Sequence, residues 1–290
     1  MSEKQQSVIL KIGSDYYTLT PAEKKLADYI LANQETVAGL SISRLASICD
    51  VAEATVSRFS RHMGFRGYPA LKLAVANAVA QSRLGDNPLT GEITRTDSLE
   101  TVAQKLFRTN TEAMSQTMEV LNLETVSLVA AELEKAGKVL CMGQGGSLLI
   151  AREAAHLFST VDCKFWAIED SHMQIMAATT MDPGDVVFFF SYSGSTLDML
   201  DTLKAARERG GRIVLVTRFP NSPGAELADL VLQCGANESP LQSGSVAARI
   251  AQMYLLDVLF TALINTSYEE YSDIMDRTNV PNRDEESEVP

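Results

Sequence analysis

From residue 138 onward the chain alternates short apolar runs with amphipathic helical windows, and no other feature restricts its fold as much. The runs lie at 138–142 (KVLCM), 164–168 (KFWAI), 186–190 (VVFFF), 212–217 (RIVLVT) and 230–233 (LVLQ). This rhythm marks a parallel sheet with helices on both faces, because parallel neighbours need a crossover helix and their strands are then buried on both sides. Five runs predict a doubly wound, five-stranded α/β domain. A long helix over 244–264 is expected after the last strand, and beyond it the chain turns acidic and is expected to fray.

The 290 residues are enough for two domains at roughly 100 to 200 residues each. The first third reads as helical. Apolar residues recur at helical spacing through Leu26, Tyr29 and Ile30, and again through Ile42, Leu45, Ala46 and Ile48. Thr20, Pro21 and Glu23 supply a helix start, with Thr at the N-cap, Pro in the first turn and Glu completing a capping box. A polar stretch with two Gly and a Pro, 81–97, shows no sustained period and sets the boundary. The expected organisation is an all-α helix-turn-helix domain at 1–80, a linker at 81–104, the parallel-sheet domain at 105–268 and an acidic tail at 269–290.

The segment LASICDVAEATVSRF (45–59) has the spacing of a helix-turn-helix. Val51, Val56 and Phe59 form the apolar stripe of its second helix, so Glu53, Ala54, Ser57, Arg58 and Arg61 would face outward, where a major groove could receive them. Arg58 suits a guanine edge, Ser57 and Thr55 a phosphate or base, and Ala54 a thymine methyl. Arg61, Arg66, Tyr68 and Lys72 would anchor the DNA backbone. Ala52 stands where a capping Ser or Thr is expected, and Asp50 would cover part of that role. The net charge of −12 argues against a polyanionic partner, but it is unevenly spread. Residues 1–82 carry nine Lys and Arg against seven Asp and Glu, a net of +2, which leaves −14 for the rest. Such asymmetry is compatible with nucleic-acid contact. A plain helical bundle with solvated arginines would share these features.

Three loops after apolar runs carry unusual chemistry, at the sheet edge where open α/β folds bind ligands. The first is GQGGS (143–147), with Gly145 and Ser147, whose glycines would let a helix amino terminus approach an anion. It lacks the third glycine of a dinucleotide loop, and only Glu169 could serve a ribose. The second is SYSGST (191–196). Ser191, Ser193, Ser195 and Thr196 gather hydroxyls around a helix start, more than one helix cap needs, and are expected to hold a phosphate. The third is ESPLQSGS (238–245), where Glu238 could accept from ligand hydroxyls or act as a base. His172, after the second run, lies at the same edge.

No catalytic triad or metal cage is legible, and neither metal nor cofactor is expected. Cys49, Cys141, Cys163 and Cys234 are far apart and read as small buried residues of a reducing compartment. The start MSEKQQSVILKIGSDYY lacks a leader's apolar core, and no apolar stretch approaches the roughly 20 residues that span a bilayer. A cytoplasmic protein without membrane contact is expected.

The segment SISRLASICDVAEATVSRFSRHMGFRGYPALK (41–72) resembles the amino-terminal domain of RpiR-type transcriptional regulators, whose pattern ATVxRFxxxxGFxGY it carries. The remainder, with GQGGS, SYSGST and ESPLQSGSVAARIAQMYLLDVLF, is similar to their sugar isomerase (SIS) domain. The resemblance implies a repressor or activator of sugar catabolism genes whose operator affinity is set by a bound phosphosugar. It implies phosphate contacts at Ser147, Ser191, Ser193 and Thr196, and a homodimer or homotetramer assembled through SIS domains on double-stranded operator DNA. Two other readings use the same residues: an aldose–ketose isomerase with Glu238 and His172 as acid and base, and an assembly module whose head binds protein.

Overall fold

The computed structural model describes residues 8–83, 93–235 and 246–278. The helical head comprises α1 (Val8–Ser14), a 3-10 turn (Tyr16–Thr18), α2 (Pro21–Ala32), α3 (Gln34–Val37), α4 (Ile42–Ile48), α5 (Glu53–His62) and α6 (Tyr68–Arg83). Helix α2 begins with the expected capping box, the Thr20 side chain accepting from the Glu23 amide and the Glu23 carboxylate from the Thr20 amide. Leu26, Ile30, Leu45, Val56, Phe59 and Leu71 are fully buried in one core. Each such side chain stabilises the head by about 1.5–3 kcal/mol relative to exposure.

The turn between α4 and α5 contains Asp50 at φ 52°, a left-handed step that Asp tolerates better than most residues. Its carboxylate accepts from Lys25 Nζ at 3.2 Å. The expectation that Asp50 would help cap α5 therefore fails: its side chain turns toward α2, and Ala52 stands at the N-cap with no side-chain bond.

The body opens with α7 (Leu99–Val120) and α8 (Leu123–Lys135). It continues through β1 (Val139–Gly143), α9 (Gly146–Ser159), β2 (Phe165–Ile168), α10 (Ser171–Thr179), β3 (Val186–Phe190) and α11 (Leu197–Glu208). Next come β4 (Arg212–Thr217), α12 (Pro223–Leu227), β5 (Leu230–Gln233), α13 (Val246–Thr266) and α14 (Tyr268–Thr278). All five expected strands form, in one sheet of order β2-β1-β3-β4-β5, and every pairing is parallel. Residues alternate between two cores: Val139, Cys141, Phe188 and Phe190 face α8, α9 and α13, while Leu140, Met142, Val187 and Phe189 face α10 and α11. Phe158 centres the first core, with ring centroids 5.0 Å from Phe165 and 5.3 Å from Phe260.

Three expectations need adjusting. Helix α7 starts within the stretch assigned to the linker, because Ser98 accepts from the Thr101 amide and caps it, and Asp97 pairs with Lys105 Nζ at 2.7 Å. Helix α14 occupies the first half of the supposed tail, held by Tyr271 and Ile274 against the first core. Helix α13 has 21 residues and is apolar and long enough to cross a bilayer by length and composition alone. Its Ala247, Ala251, Leu255, Leu259 and Leu263 are buried in the first core, which accounts for that apolarity.

Head and body meet at the edge of the 3-10 turn. Ser14 accepts from Asn221 Nδ2 at 2.9 Å through its carbonyl and from Gln233 Nε2 at 2.8 Å through its hydroxyl. The rings of Tyr16, Tyr17 and Tyr192 surround Phe219 at centroid distances of 5.9, 5.4 and 5.9 Å. Tyr17 also donates to the carbonyl of Ser193 at 2.8 Å.

Candidate functional site

The sheet order places a crevice between β1 and β3. Helix α9 leaves β1 toward one face, with Ile150 and Ala154 in the first core, and α11 leaves β3 toward the other, with Met199 and Leu203 in the second. Where neighbouring connections diverge in this way, the carboxyl ends of the strands are left uncovered. A cavity of about 240 Å3 lies there, lined by Gln144 and Ser147 after β1, by Ser191, Ser193 and Thr196 after β3, and by Arg249 and Gln252 of α13, among others.

Local backbone geometry builds the rim. Gly194 adopts φ +61°, and a Cβ there would collide with Ser222 Oγ. Only glycine closes the loop, which the buried Ser191 hydroxyl holds by accepting from the Gly194 amide at 3.1 Å. Thr196 occupies the N-cap of α11 without making a side-chain cap bond, and α9 begins at Gly145 with none either. The hydroxyls are therefore not used up in capping. Both helix starts, of 14 and 12 residues, border the cavity and favour negative charge there.

Ser147, Ser191, Ser193 and Thr196 are brought together as expected. Ser195 is not: its hydroxyl lies 2.9 Å from the Tyr17 hydroxyl, turned toward the head and away from the cavity lining. Gly145 is exposed, with φ +54°, and shapes the turn without lining the cavity. His172 is exposed in the first turn of α10 and is likewise outside the lining, because Asp170 caps that helix and its inward side is taken by Gln174. Gln174 Nε2 donates to the carbonyls of Gly143 and Ile168, tying the ends of β1 and β2. Glu238 lies outside the described residues. Arg249 and Gln252 were missed by the sequence reading, although two polar residues three apart near the start of a mostly apolar helix share a face and were a usable signal. Among the described residues no cluster of His, Cys, Asp and Glu could hold a metal. Cys163 is exposed, contrary to expectation, whereas the other three cysteines are buried.

In the head, Val56 and Phe59 are buried and Val51 packs against the same core, so Glu53, Ala54, Arg58 and Arg61 are left exposed on α5 with Ser57 half-buried beside them. Arg66 is exposed and Lys72 half-buried. Two expected contacts are corrected. Thr55 is buried on the core side and accepts from Arg58 Nη2 at 3.4 Å. Tyr68 is buried with its hydroxyl donating to the Leu40 carbonyl at 3.1 Å, and burial raises its pKa. The carboxylic end of α5 is braced by Glu23, which lies 3.3 Å from His62 Nδ1. Burial would raise the Glu23 carboxyl, but hydrogen bonds with Thr20 and His62 outweigh it and hold the group below its usual range.

Residues 6–82 match the rpiR-family helix-turn-helix domain, and residues 132–262 match the SIS domain. An HTH-type transcriptional regulator of Caldanaerobacter subterraneus subsp. tengcongensis is 33% identical over 273 residues, covering 94% of this chain and 95% of the relative. The HTH-type transcriptional regulator YfhH of Escherichia coli is 31% identical, covering 90% and 93%. The Vibrio vulnificus NanR protein complexed with ManNAc-6P superposes with a TM-score of 0.60 at 26% identity, over 93% of this chain and 96% of that one. The sugar isomerase domain of an RpiR transcription factor from Sphaerobacter thermophilus shares the fold of the body, with a TM-score of 0.56 at 19% identity over 61% and 97%. Taken with the helix-turn-helix head and the parallel-sheet body, these matches establish that the chain belongs to the RpiR family of HTH-type transcriptional regulators that carry a SIS domain.

Proposed function

We propose that the cavity between β1 and β3 binds a phosphosugar, and that this effector sets the affinity of the α5 face for operator DNA in genes of sugar catabolism. One observation carries the reading. The loop at 191–196 presents Ser191, Ser193 and Thr196 to the cavity, while from its other side the Ser193 carbonyl and Ser195 hydroxyl engage Tyr17 of the head. A phosphate drawing on the inner hydroxyls acts on the same few residues that hold the head. The NanR complex with ManNAc-6P supports a phosphosugar as the ligand class. An effector can shift DNA affinity only by its differential affinity for the two head arrangements, and this loop is where such a difference would arise.

The DNA partner is read through Arg58, with Ala54 and Ser57 beside it, and through Arg61, Arg66 and Lys72 as phosphate contacts. A homodimer or homotetramer assembled through the body would present two such heads to two half-sites. Action in the cytoplasm on chromosomal DNA accords with the regulators it matches. A ligand-binding role is preferred to isomerase activity because the chain carries a helix-turn-helix head and matches HTH-type transcriptional regulators over nine-tenths of its length.

The test is a thermal-shift screen against phosphosugars, followed by DNA binding with and without each hit. A ligand specific for the folded chain raises its apparent stability. The reading requires a hit that depends on the phosphate and alters operator affinity. A set of hits that act equally well without the phosphate would refute it.

A further inference from the structure

Arg218, directly after β4, is a charged residue with 4% exposure that does not line the cavity. Its guanidinium lies against Gly13 in the last turn of α1, where an added Cβ would stand 2.8 Å from Nη2 and 3.2 Å from Nε. Gly13 is buried, helical and without a positive φ, so its backbone does not call for glycine. Glycine is costly inside a helix. The close approach of Arg218 accounts for it, because only a residue without a side chain leaves room for the guanidinium.

The same segment grips the cavity rim. The Arg218 amide and the Thr217 hydroxyl both donate to the carbonyl of Tyr192, at 3.2 and 3.1 Å, and Tyr192 lines the cavity. Gln233 Nε2 joins the two sides, donating to the Arg218 carbonyl at 3.2 Å and to the Ser14 hydroxyl at 2.8 Å. We infer that Arg218 is a positioning residue: wedged against Gly13, its side chain sets where α1, and with it the helix-turn-helix head, sits on the rim. Residues 217–222 then form a clasp that holds Tyr192 on one side and the head on the other, a link that does not pass through Tyr17. The inference holds whatever occupies the cavity.

Amide hydrogen exchange of the full chain tests this. The amides of Asp15, Thr18 and Leu19 bond within the end of α1 and the 3-10 turn, and they report on the seat of the head. Arg218→Ala and Gly13→Ala should each speed their exchange at least fivefold, while the amides of α2 keep the wild-type rate. Gly13→Ala is the decisive variant, since by helix preference alone it would slow exchange. In the double variant the methyl has room, so exchange should be no faster than in Arg218→Ala alone. Should Arg218→Ala fail to fold, Gly13→Ala carries the test by itself. Unchanged or slower exchange in Gly13→Ala overturns the inference, as does a double variant in which the two accelerations multiply. A larger acceleration in Tyr17→Phe than in Arg218→Ala would place the seat at Tyr17 and overturn it as well.

Discussion

Tyr17 in the head donates its phenolic hydrogen to the carbonyl of Ser193, 2.8 Å away and 176 residues later in the chain. Its oxygen is also 2.9 Å from Ser195 Oγ. The residues that rim the cavity are thus in direct contact with the 3-10 turn that precedes α2, so the cavity loop and the helical head are joined by hydrogen bonds.

Removing that hydroxyl should uncouple the two halves. A typical hydrogen bond contributes about 0.5–1.5 kcal/mol net, so Tyr17→Phe should shrink the effector-induced change in operator affinity by up to about tenfold. Fluorescence anisotropy with saturating phosphosugar and without it measures the change. A full response in the variant would show that the signal travels elsewhere.

Ser193→Ala should weaken the phosphosugar itself. Hydrogen bonds to a charged group are worth about 1.5–3 kcal/mol, which predicts a loss of roughly tenfold or more in affinity by titration calorimetry. The melting temperature without ligand should stay within a degree or so of wild type, because the side chain makes only a long 3.4 Å bond with the Ser195 amide.

Gly194→Ala combines a left-handed backbone with a collision against Ser222. Both effects act on the folded state, so destabilisation above about 1 kcal/mol is expected. Thermal unfolding should begin several degrees earlier and phosphosugar binding should be lost. An unchanged melting curve would mean that the loop takes a different path.

On DNA, Arg58→Ala should relax sequence preference, while Arg66→Ala should weaken all sites alike and lower the salt slope by about one. Binding to operator and scrambled duplexes over a range of salt concentrations separates these effects. The same behaviour from both variants would argue against a specific role for Arg58.

Acid stability should depend on Glu23. Its pKa is lowered in the fold, so its contribution is complete above the unfolded value of about 4.3 and disappears as pH falls through the lower folded value. Glu23→Gln should therefore narrow the gap to wild type between pH 5 and pH 3, as followed by denaturant unfolding. A gap that stays constant across that range would contradict the assignment.

Much of this architecture is legible in the sequence because its signals are periodic. The apolar runs at 138–142 and 186–190 became adjacent strands, and four of the five hydroxyls assigned to the phosphate line the cavity. Direction is what a linear reading cannot supply. Ser195 and His172 sit in the right loops but point elsewhere, because Tyr17 and Gln174 occupy the positions that decide their orientation. Thr55 lies one turn before Phe59, a spacing that already placed it on the core side of α5. Arg249 and Gln252 went unnoticed because the facing of α13 depends on which loops its first turns meet.

Helix α13 contributes to the cavity with one face and to the first core with the other, where Ala251 and Leu255 are fully enclosed. That wall cannot retreat without opening the sheet, so a bound molecule is pressed against a fixed surface and any yielding must occur across from it. Across from it stands the serine loop, whose outer edge rests on Tyr17, so a displacement of that loop by an occupant would be felt first at the head.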